Sequence, residues 1–439
     1  MELSPRHLKR HQLQTRKHFW RNYLAHGIEG GIYMGGMGFL AVDSVLPVMV
    51  RDLGGADWLI SITPVIVAIG FFLPPLLVAH LVERLHRVKM PIMATGVFQR
   101  VPYLLAGLAL IYVAPTHPQL ALAAVVLAPF CSGLAGGCTY SAWLELVAKT
   151  VPHNRRSSLW ATRNIIGAVI ALFAGVVVTQ VLRDDPGPSG YGKLHLLTLA
   201  FLCVSWLVFG LIKETDLPPR KVTSQGVLGN LRSARAIFAS DKHYRRYMVS
   251  RMLMSGQFVV LPFMAIHAID RTGRSSDFAG VLLMASVLGS MAGNLAAGYL
   301  GDRRGGKFLS LTASAGMVAA FMASTAAWHE AQFLGIFALL GAARSFDMIG
   351  ANTLGLELCP IERRPTYLAV AAASTTPSLL AAPVISSACL LAATWMAVNG
   401  FTVVATVACV AVAISARLQW KVREPRHAAE QPQRRRKAA

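Results

Sequence analysis

The stretch Gly298-Tyr299-Leu300-Gly301-Asp302-Arg303-Arg304-Gly305-Gly306-Lys307 is a charged, glycine-rich turn between two long apolar segments. Glycines allow the chain to reverse direction there, and the basic residues suit helix C-termini and anionic lipid headgroups. A weaker copy lies in the segment 79–89, where Glu83-Arg84 takes the place of Asp302-Arg303. A turn of this kind, repeated between apolar segments, predicts a helical membrane protein built by duplication.

The composition predicts an integral membrane protein. Of the 439 residues, 54% are hydrophobic and 14% are charged, whereas a soluble domain carries about 25% charged residues. The formal net charge is +21, but Lys and Arg concentrate in the terminal segments and in short connections between apolar segments, which disfavours a nucleic-acid partner. The six cysteines lie in or beside apolar segments without a C-x-x-C pair, so no disulfide framework is expected.

Apolar segments of about 20 residues or more are typical of membrane-spanning helices. Twelve are predicted, at 23–50, 57–81, 90–113, 119–147, 158–182 and 194–213, and at 245–269, 277–300, 306–328, 332–357, 367–392 and 396–417. The predicted parts are a basic N-terminal segment (1–22), a six-helix bundle (23–213), a loop (214–244), a second six-helix bundle (245–418) and a basic tail (419–439). Because basic residues concentrate in alternate connections, starting at the N-terminus, both termini are predicted to be cytoplasmic.

Further repeated sequence patterns indicate that the two halves are copies of one unit. Leu144-Glu145-Leu146 resembles Leu356-Glu357-Leu358, at the end of each fourth span. The pattern Pro-x-x-Arg-Arg follows each of them, ending at Arg155-Arg156 in the first half and at Arg363-Arg364 in the second. Because the matches keep one order in both halves, they predict a duplicated six-helix unit.

Twelve spans in duplicated halves resemble the major facilitator superfamily. Its motif G-x-x-x-D-R-x-G-R-R/K stands between the second and third helices and is often repeated between the eighth and ninth. The second-half turn matches this motif at Gly298, Asp302, Arg303, Gly305 and Lys307. It departs from the motif at Gly306, which replaces the usual Arg, and the first-half copy is the weaker one. The resemblance implies an all-α integral membrane protein with 12 transmembrane helices in two pseudo-symmetric bundles around a cavity.

The resemblance also implies an inner gate, formed by loop charges that meet when the cavity is closed on the inside. The first-half residues of this gate are Glu83, Arg84, Glu145, Arg155 and Arg156. The second-half residues are Gly298, Asp302, Arg303, Gly305, Lys307, Glu357, Arg363 and Arg364. The alternative is that these residues only cap helices and set the topology.

Ionisable side chains inside spans cost about 2.5–3.5 kcal/mol each on insertion scales and therefore mark functional candidates. Glu29 and Asp43 both lie on the first span, and on one continuous helix they would share a face. The further candidates for binding a substrate or a proton are Arg100, Arg251, Arg344 and Asp347. Arg344 and Asp347 are one turn apart and can pair with each other. Arg163, at the start of the fifth span, is expected to extend toward the membrane surface.

His26 and Glu29 lie one helical turn apart, followed by Met34 and Met37, which raises the alternative of a metal site. Such a site needs three or more converging ligands, so transport of a transition metal, iron included, is an alternative and not the main prediction. No glycine loop ending in Gly-Lys-Ser/Thr is present, which disfavours ATP-driven pumping. No catalytic constellation stands out, so an enzyme is not predicted.

The sequence thus predicts a secondary transporter that moves a small molecule or ion by alternating access. The proton gradient is the expected driving force, and no cofactor is expected. The predicted partners are the small-molecule or ion substrate and the lipid bilayer, and the oligomeric state is left open with a monomer as the default. The expected location is the inner membrane of the cell or a membrane derived from it. A transporter-like sensor or scaffold that does not transport remains a second alternative.

Overall fold

The computed structural model describes residues 13, 15–82, 87–152, 155–214, 238, 241–358 and 364–422. In this part of the chain, twelve helices follow in the predicted order. The first six are α1 (Phe19–Asp52), α2 (Asp57–Val82), α3 (Lys89–Val113), α4 (Pro118–Thr150), α5 (Arg156–Asp184) and α6 (Pro188–Gly210). The second six are α7 (Lys242–Thr272), α8 (Phe278–Gly301), α9 (Arg303–Ala326), α10 (Glu330–Leu358), α11 (Arg364–Trp395) and α12 (Gly400–Trp420).

The helices have the character of membrane spans. Eleven are long and apolar enough to cross a bilayer, and the described side chains of α2 add the shorter apolar stretch Asp57–Val67. The prediction of an all-α, twelve-span membrane protein is therefore confirmed. The cytoplasmic position of the termini stays a prediction.

The described residues pack into two compact units. The first lies within Met1–Leu59, Thr63–Ser224 and Ser275–Met284, and the second within Ile60–Ile62, Gln225–Arg274 and Ala285–Ala439. Most of the predicted central loop, 214–244, lies outside the described residues. The domain boundaries proposed from the sequence therefore stay a prediction.

Two helices that occupy equivalent places in the halves are interrupted. Helix α1 ends its first α-helical part at Gly36, passes through a 3₁₀ turn and resumes at Val45. Helix α7 is interrupted in the same way by the 3₁₀ segment Ser255–Val259. The interruption of α1 follows Glu29 and includes Asp43, so the expectation that these two carboxylates share one face of a continuous helix is wrong.

Hydrogen bonds join several helix ends of the first unit near the point where α6 stops. Here Asn22 Nδ2 donates to the Lys213 carbonyl (3.0 Å), and the Lys213 amide donates back to Asn22 Oδ1 (2.9 Å). The Glu214 carboxylate accepts from the Val88 and Lys89 amides (2.9 and 3.0 Å), which satisfies amides at the start of α3. These bonds join the ends of α1, α3 and α6, the helices that hold part of the site described below.

In the second unit, α7 packs along α12. The buried hydroxyls of Ser250 and Ser415 lie 3.0 Å apart across this contact. Tyr247 of α7 donates its phenolic hydrogen bond to the Ala351 carbonyl of α10 (2.9 Å). Polar side chains thus join three helices of this unit, as interhelical hydrogen bonds do in membrane proteins.

The turn quoted at the outset joins α8 to α9, and its break lies at Gly305. This residue has φ 82° and ψ 171°, a conformation that is essentially restricted to glycine. Lys307 Nζ donates to the Val422 carbonyl just beyond α12 (2.8 Å), which places a positive charge at a helix C-terminus. The Arg303 guanidinium lies 4.1 Å from the Tyr299 ring centre. The described side chains of the turn therefore stabilise helix ends within the second unit.

The Gly305→Ala variant is expected to lower the free energy of unfolding by about 1–3 kcal/mol, because alanine is strained in this conformation. Unfolding in detergent micelles measures the change. Gly335→Ala is the matched control, since a Cβ there meets no atom within 4 Å and no positive φ is involved. Equal stability of the two variants would contradict the claim that alanine is strained at position 305.

Candidate functional site

All six helices of the first unit line a cavity of about 310 Å³. Its walls are largely aromatic and aliphatic, and a few polar side chains project into it. These polar residues include Glu29, Gln99, Arg100, Thr139, Arg163 and Ser205. An apolar cavity with a few convergent polar groups is typical of a small-molecule site.

An ion pair between α1 and α5 forms part of the cavity wall. Arg163 Nη1 lies 3.0 Å from Glu29 Oε2 and also donates to the His26 carbonyl at 3.0 Å. Both charged residues are buried, with 6% of Arg163 and 8% of Glu29 exposed. A Cβ at Gly30 would lie 1.8 Å from the guanidinium carbon, so the glycine makes room for the arginine.

This pair corrects the expectation for Arg163, which does not extend toward the membrane surface. The side chain is buried at the Glu29 carboxylate and the His26 carbonyl, which both contact its Nη1, while its buried Nε has no hydrogen-bond partner among the described residues. Its Cζ lies 4.7 Å from the Trp143 ring centre and 5.5 Å from that of Trp160. Aromatic faces at these distances stabilise a cation further.

A line of aromatic rings continues from Arg163 along the cavity. Trp143 meets Trp160 edge-on at 5.5 Å and stacks with Tyr140 at 6.1 Å. Tyr140 in turn meets Phe71 of α2 edge-on at 5.0 Å. These rings give the cavity flat apolar walls on the side of α2, α4 and α5.

Arg100 of α3 supplies a second buried guanidinium, with 8% of the residue exposed. Its Nε donates to the Leu202 carbonyl of α6 (2.9 Å), Nη2 donates to the same carbonyl, and Nη1 donates to the Gly96 carbonyl one turn earlier. The Trp206 ring centre is 5.8 Å from its Cζ. Neutral backbone oxygens thus accept all of its hydrogen bonds in the described chain.

The second unit contains a separate buried pair between α7 and α10. Arg251 Nη1 and Nη2 donate to the two carboxylate oxygens of Asp347, at 2.5 and 3.0 Å. This fork-to-carboxylate geometry is the strongest form of ion pair. The suggested pairing of Arg344 with Asp347 within α10 is therefore corrected, because both oxygens of the carboxylate bind a residue of another helix. Arg344 is half-buried.

The two residues suggested as metal ligands have different partners. His26 Nε2 lies 2.9 Å from the Thr150 hydroxyl, whereas Glu29 binds Arg163. Within the described ranges, no group of three or more His, Cys, Asp or Glu side chains could hold a metal ion. Asp43 is half-buried in the turn between the two parts of α1.

The gate residues are only partly described. Glu83, Arg84 and Arg363 lie outside the described residues, as do the side chains of Arg156, Asp302 and Arg364. Glu145 is exposed, 3.9 Å from Lys149 Nζ on the same helix. Arg155 is exposed at the start of α5, Glu357 is half-buried near the end of α10, and Gly298 has open space around it. The inner gate stays a prediction.

The aromatic residues of the cavity were not among the sequence candidates. A signal for them exists, because Tyr140 and Trp143 on α4, and Trp160 and Arg163 on α5, are each three residues apart. Residues at that spacing share a helix face. What the spacing does not reveal is that the two faces meet each other and Glu29.

A family model described as Major Facilitator Superfamily matches residues 2–176 and 247–439. The chain is 23% identical over 361 residues to the uncharacterized protein Rv2209 of Mycobacterium tuberculosis, covering 78% of this chain and 66% of the relative. It is 25% identical over 218 residues to the multidrug resistance protein MdtL of Vibrio parahaemolyticus, covering 47% of this chain and 51% of the relative. The chain thus spans between half and about two thirds of the length of these curated relatives.

Solved structures share the fold over nearly the whole chain. The nucleoside transporter NupG matches with a TM-score of 0.67 and 14% identity, covering 91% of this chain and 97% of that one. A D-xylose–proton symporter gives 0.68 and 14%, covering 93% and 99%. A bacterial homologue of the iron transporter ferroportin gives 0.58 and 15%, covering 91% and 98%. At these identities the likeness shows the fold alone.

Proposed function

The chain belongs to the major facilitator superfamily, and from that premise we propose secondary active transport of a small solute by alternating access, driven by a proton gradient. Membership of this family makes the chain an integral, multi-pass membrane protein and not an enzyme. The mechanism and the coupling ion are what the proposal adds. No cofactor enters it.

One observation carries the coupling to protons: the Glu29–Arg163 pair is buried in the wall of a cavity of suitable size for a small solute. A buried carboxylate that loses its cationic partner is costly unless it takes up a proton. A proton arriving at Glu29 would therefore release Arg163, and a solute that binds Arg163 would favour the proton. Proton binding at Glu29 and solute binding at Arg163 would then favour each other, and such reciprocal changes in affinity are what couples two binding events.

The Glu29→Gln variant is expected to keep solute exchange between the two sides of a proteoliposome membrane. It should lose about tenfold or more of the accumulation driven by an inward proton gradient, because glutamine cannot carry the proton. The solute for this assay is the compound that most stabilises the purified protein in a thermal screen of anions, metal ions, sugars, peptides and amphiphiles. Exchange that survives shows that the variant is folded.

The control for this experiment is Asp185→Asn, which alters a half-buried carboxylate outside the cavity, paired with Lys193 at 2.8 Å, and should leave accumulation unchanged. Asp347→Asn tests the second buried carboxylate in the same assay. If Glu29→Gln, Asp347→Asn and the double variant all accumulate solute as the parent does, coupling through these carboxylates is wrong.

A further inference from the structure

The cavity of the first unit has an excess of positive charge. Two guanidinium groups, of Arg100 and Arg163, and one carboxylate, of Glu29, line it. Glu29 pairs with Arg163. Among the described residues, no carboxylate forms an ion pair with Arg100, whose hydrogen bonds all go to backbone carbonyls. A neutral carbonyl does not compensate a buried positive charge as an anion does.

Arg100 also has hydrogen-bonding capacity left. A guanidinium has five N–H groups, and three of those of Arg100 are used in the bonds to Leu202 and Gly96. One N–H on each terminal nitrogen is left for a ligand, and Arg100 lines the cavity. Two N–H groups in a fixed fork match the two oxygens of a carboxylate or a similar acidic group.

The walls around this charge suit a flat apolar body. Phe71, Tyr140, Trp143, Trp160 and Trp206 all line the cavity. Aromatic rings favour offset or edge-on contact with another aromatic ring. The volume of about 310 Å³ lies at the lower end of the range for small-molecule sites, which favours a compact ligand over a peptide or a lipid.

We propose that the substrate of this cavity is a compact aromatic anion, whose acidic group binds Arg100 and whose ring packs among the tryptophans. The inference rests on the proposed transport function in one respect, which is that the cavity of the first unit is taken as the site where the substrate binds. An aromatic anion meets both features at once, because it compensates the charge of Arg100 and fills the aromatic walls. A cation would add to the positive charge, and a neutral compound would leave Arg100 uncompensated.

Equilibrium dialysis of the purified full chain against 2-naphthoate, neutral 2-naphthamide and cyclohexanecarboxylate tests the proposal. We expect 2-naphthoate to bind at least about tenfold more tightly than either of the others, since each lacks the charge or the aromatic ring. The Arg100→Gln variant should lose the preference for naphthoate over naphthamide. Arg100→Lys, which keeps the charge but not the fork, should retain part of it.

The control is Arg271→Gln in the second unit, because Arg271 also lies over a tryptophan, Trp328, at 4.0 Å but does not line the cavity. It should bind all three compounds as the parent does. Equal binding of naphthoate and naphthamide, or a preference unaffected by both Arg100 variants, would overturn the inference. Arg100-dependent binding without naphthoate exchange in proteoliposomes would support the ligand class and overturn the transport function instead.

Discussion

Replacing Arg163 with methionine is expected to lower the free energy of unfolding by about 3–5 kcal/mol, because the change leaves the Glu29 carboxylate buried without its paired cation. Methionine has a similar length and keeps most of the packing against Trp143 and Trp160, so the loss reports the charge and not a large void. Unfolding of the purified protein in detergent micelles, at a fixed pH, measures the change.

The double variant Glu29→Leu, Arg163→Met should recover most of this loss. Replacing a buried ion pair by apolar side chains of similar volume is often neutral or stabilising. A matched control is Lys193→Met, which breaks the more exposed pair with Asp185 and should cost less than about 1 kcal/mol. If the double variant is as unstable as Arg163→Met alone, the loss of unfolding free energy comes from altered packing, and its assignment to the unpaired Glu29 carboxylate is wrong.

The helices could be predicted from the sequence because each depends on a local property. A span needs about 20 apolar residues in a row, and all twelve such runs form helices in the described chain. The interruptions of α1 and α7 were missed, because each lies within a run that is apolar enough overall to resemble one span, even with Asp43 inside the interruption of α1. What distinguishes them is packing against other helices, which a hydropathy pattern does not contain.

The partners of the buried charges could not be predicted, because they lie far apart in sequence. Glu29 and Arg163 are separated by 134 residues, and Arg251 and Asp347 by 96. The sequence suggested local solutions instead, namely extension of Arg163 to the membrane surface and pairing within α10. Charge-assisted and bidentate hydrogen bonds are stronger than other hydrogen bonds. A buried charge is therefore stabilised most by a partner that allows such a contact, and here that partner lies on another helix.

The departure of the α8–α9 turn from the family motif has a structural cause at Gly306. A Cβ at this position would lie 2.6 Å from the Leu354 amide nitrogen and 2.9 Å from the Gly350 carbonyl oxygen, both on α10. Backbone atoms cannot move aside as a flexible side chain can. The start of α9 therefore approaches α10 too closely for the arginine that the motif usually has here.

The Gly306→Ala variant is accordingly expected to lose about 1–3 kcal/mol of unfolding free energy, and Gly306→Arg, which restores the usual motif residue, should lose more. The matched control is Gly298, a glycine of the motif itself, where a Cβ meets no atom within 4 Å. Gly298→Ala should be neutral or stabilising by up to about 1 kcal/mol, because alanine is the better helix former. A loss of stability at Gly306 without one at Gly298 would show that close packing on α10 excludes the usual arginine, whereas a stable Gly306→Arg protein would show that the turn accepts the full motif.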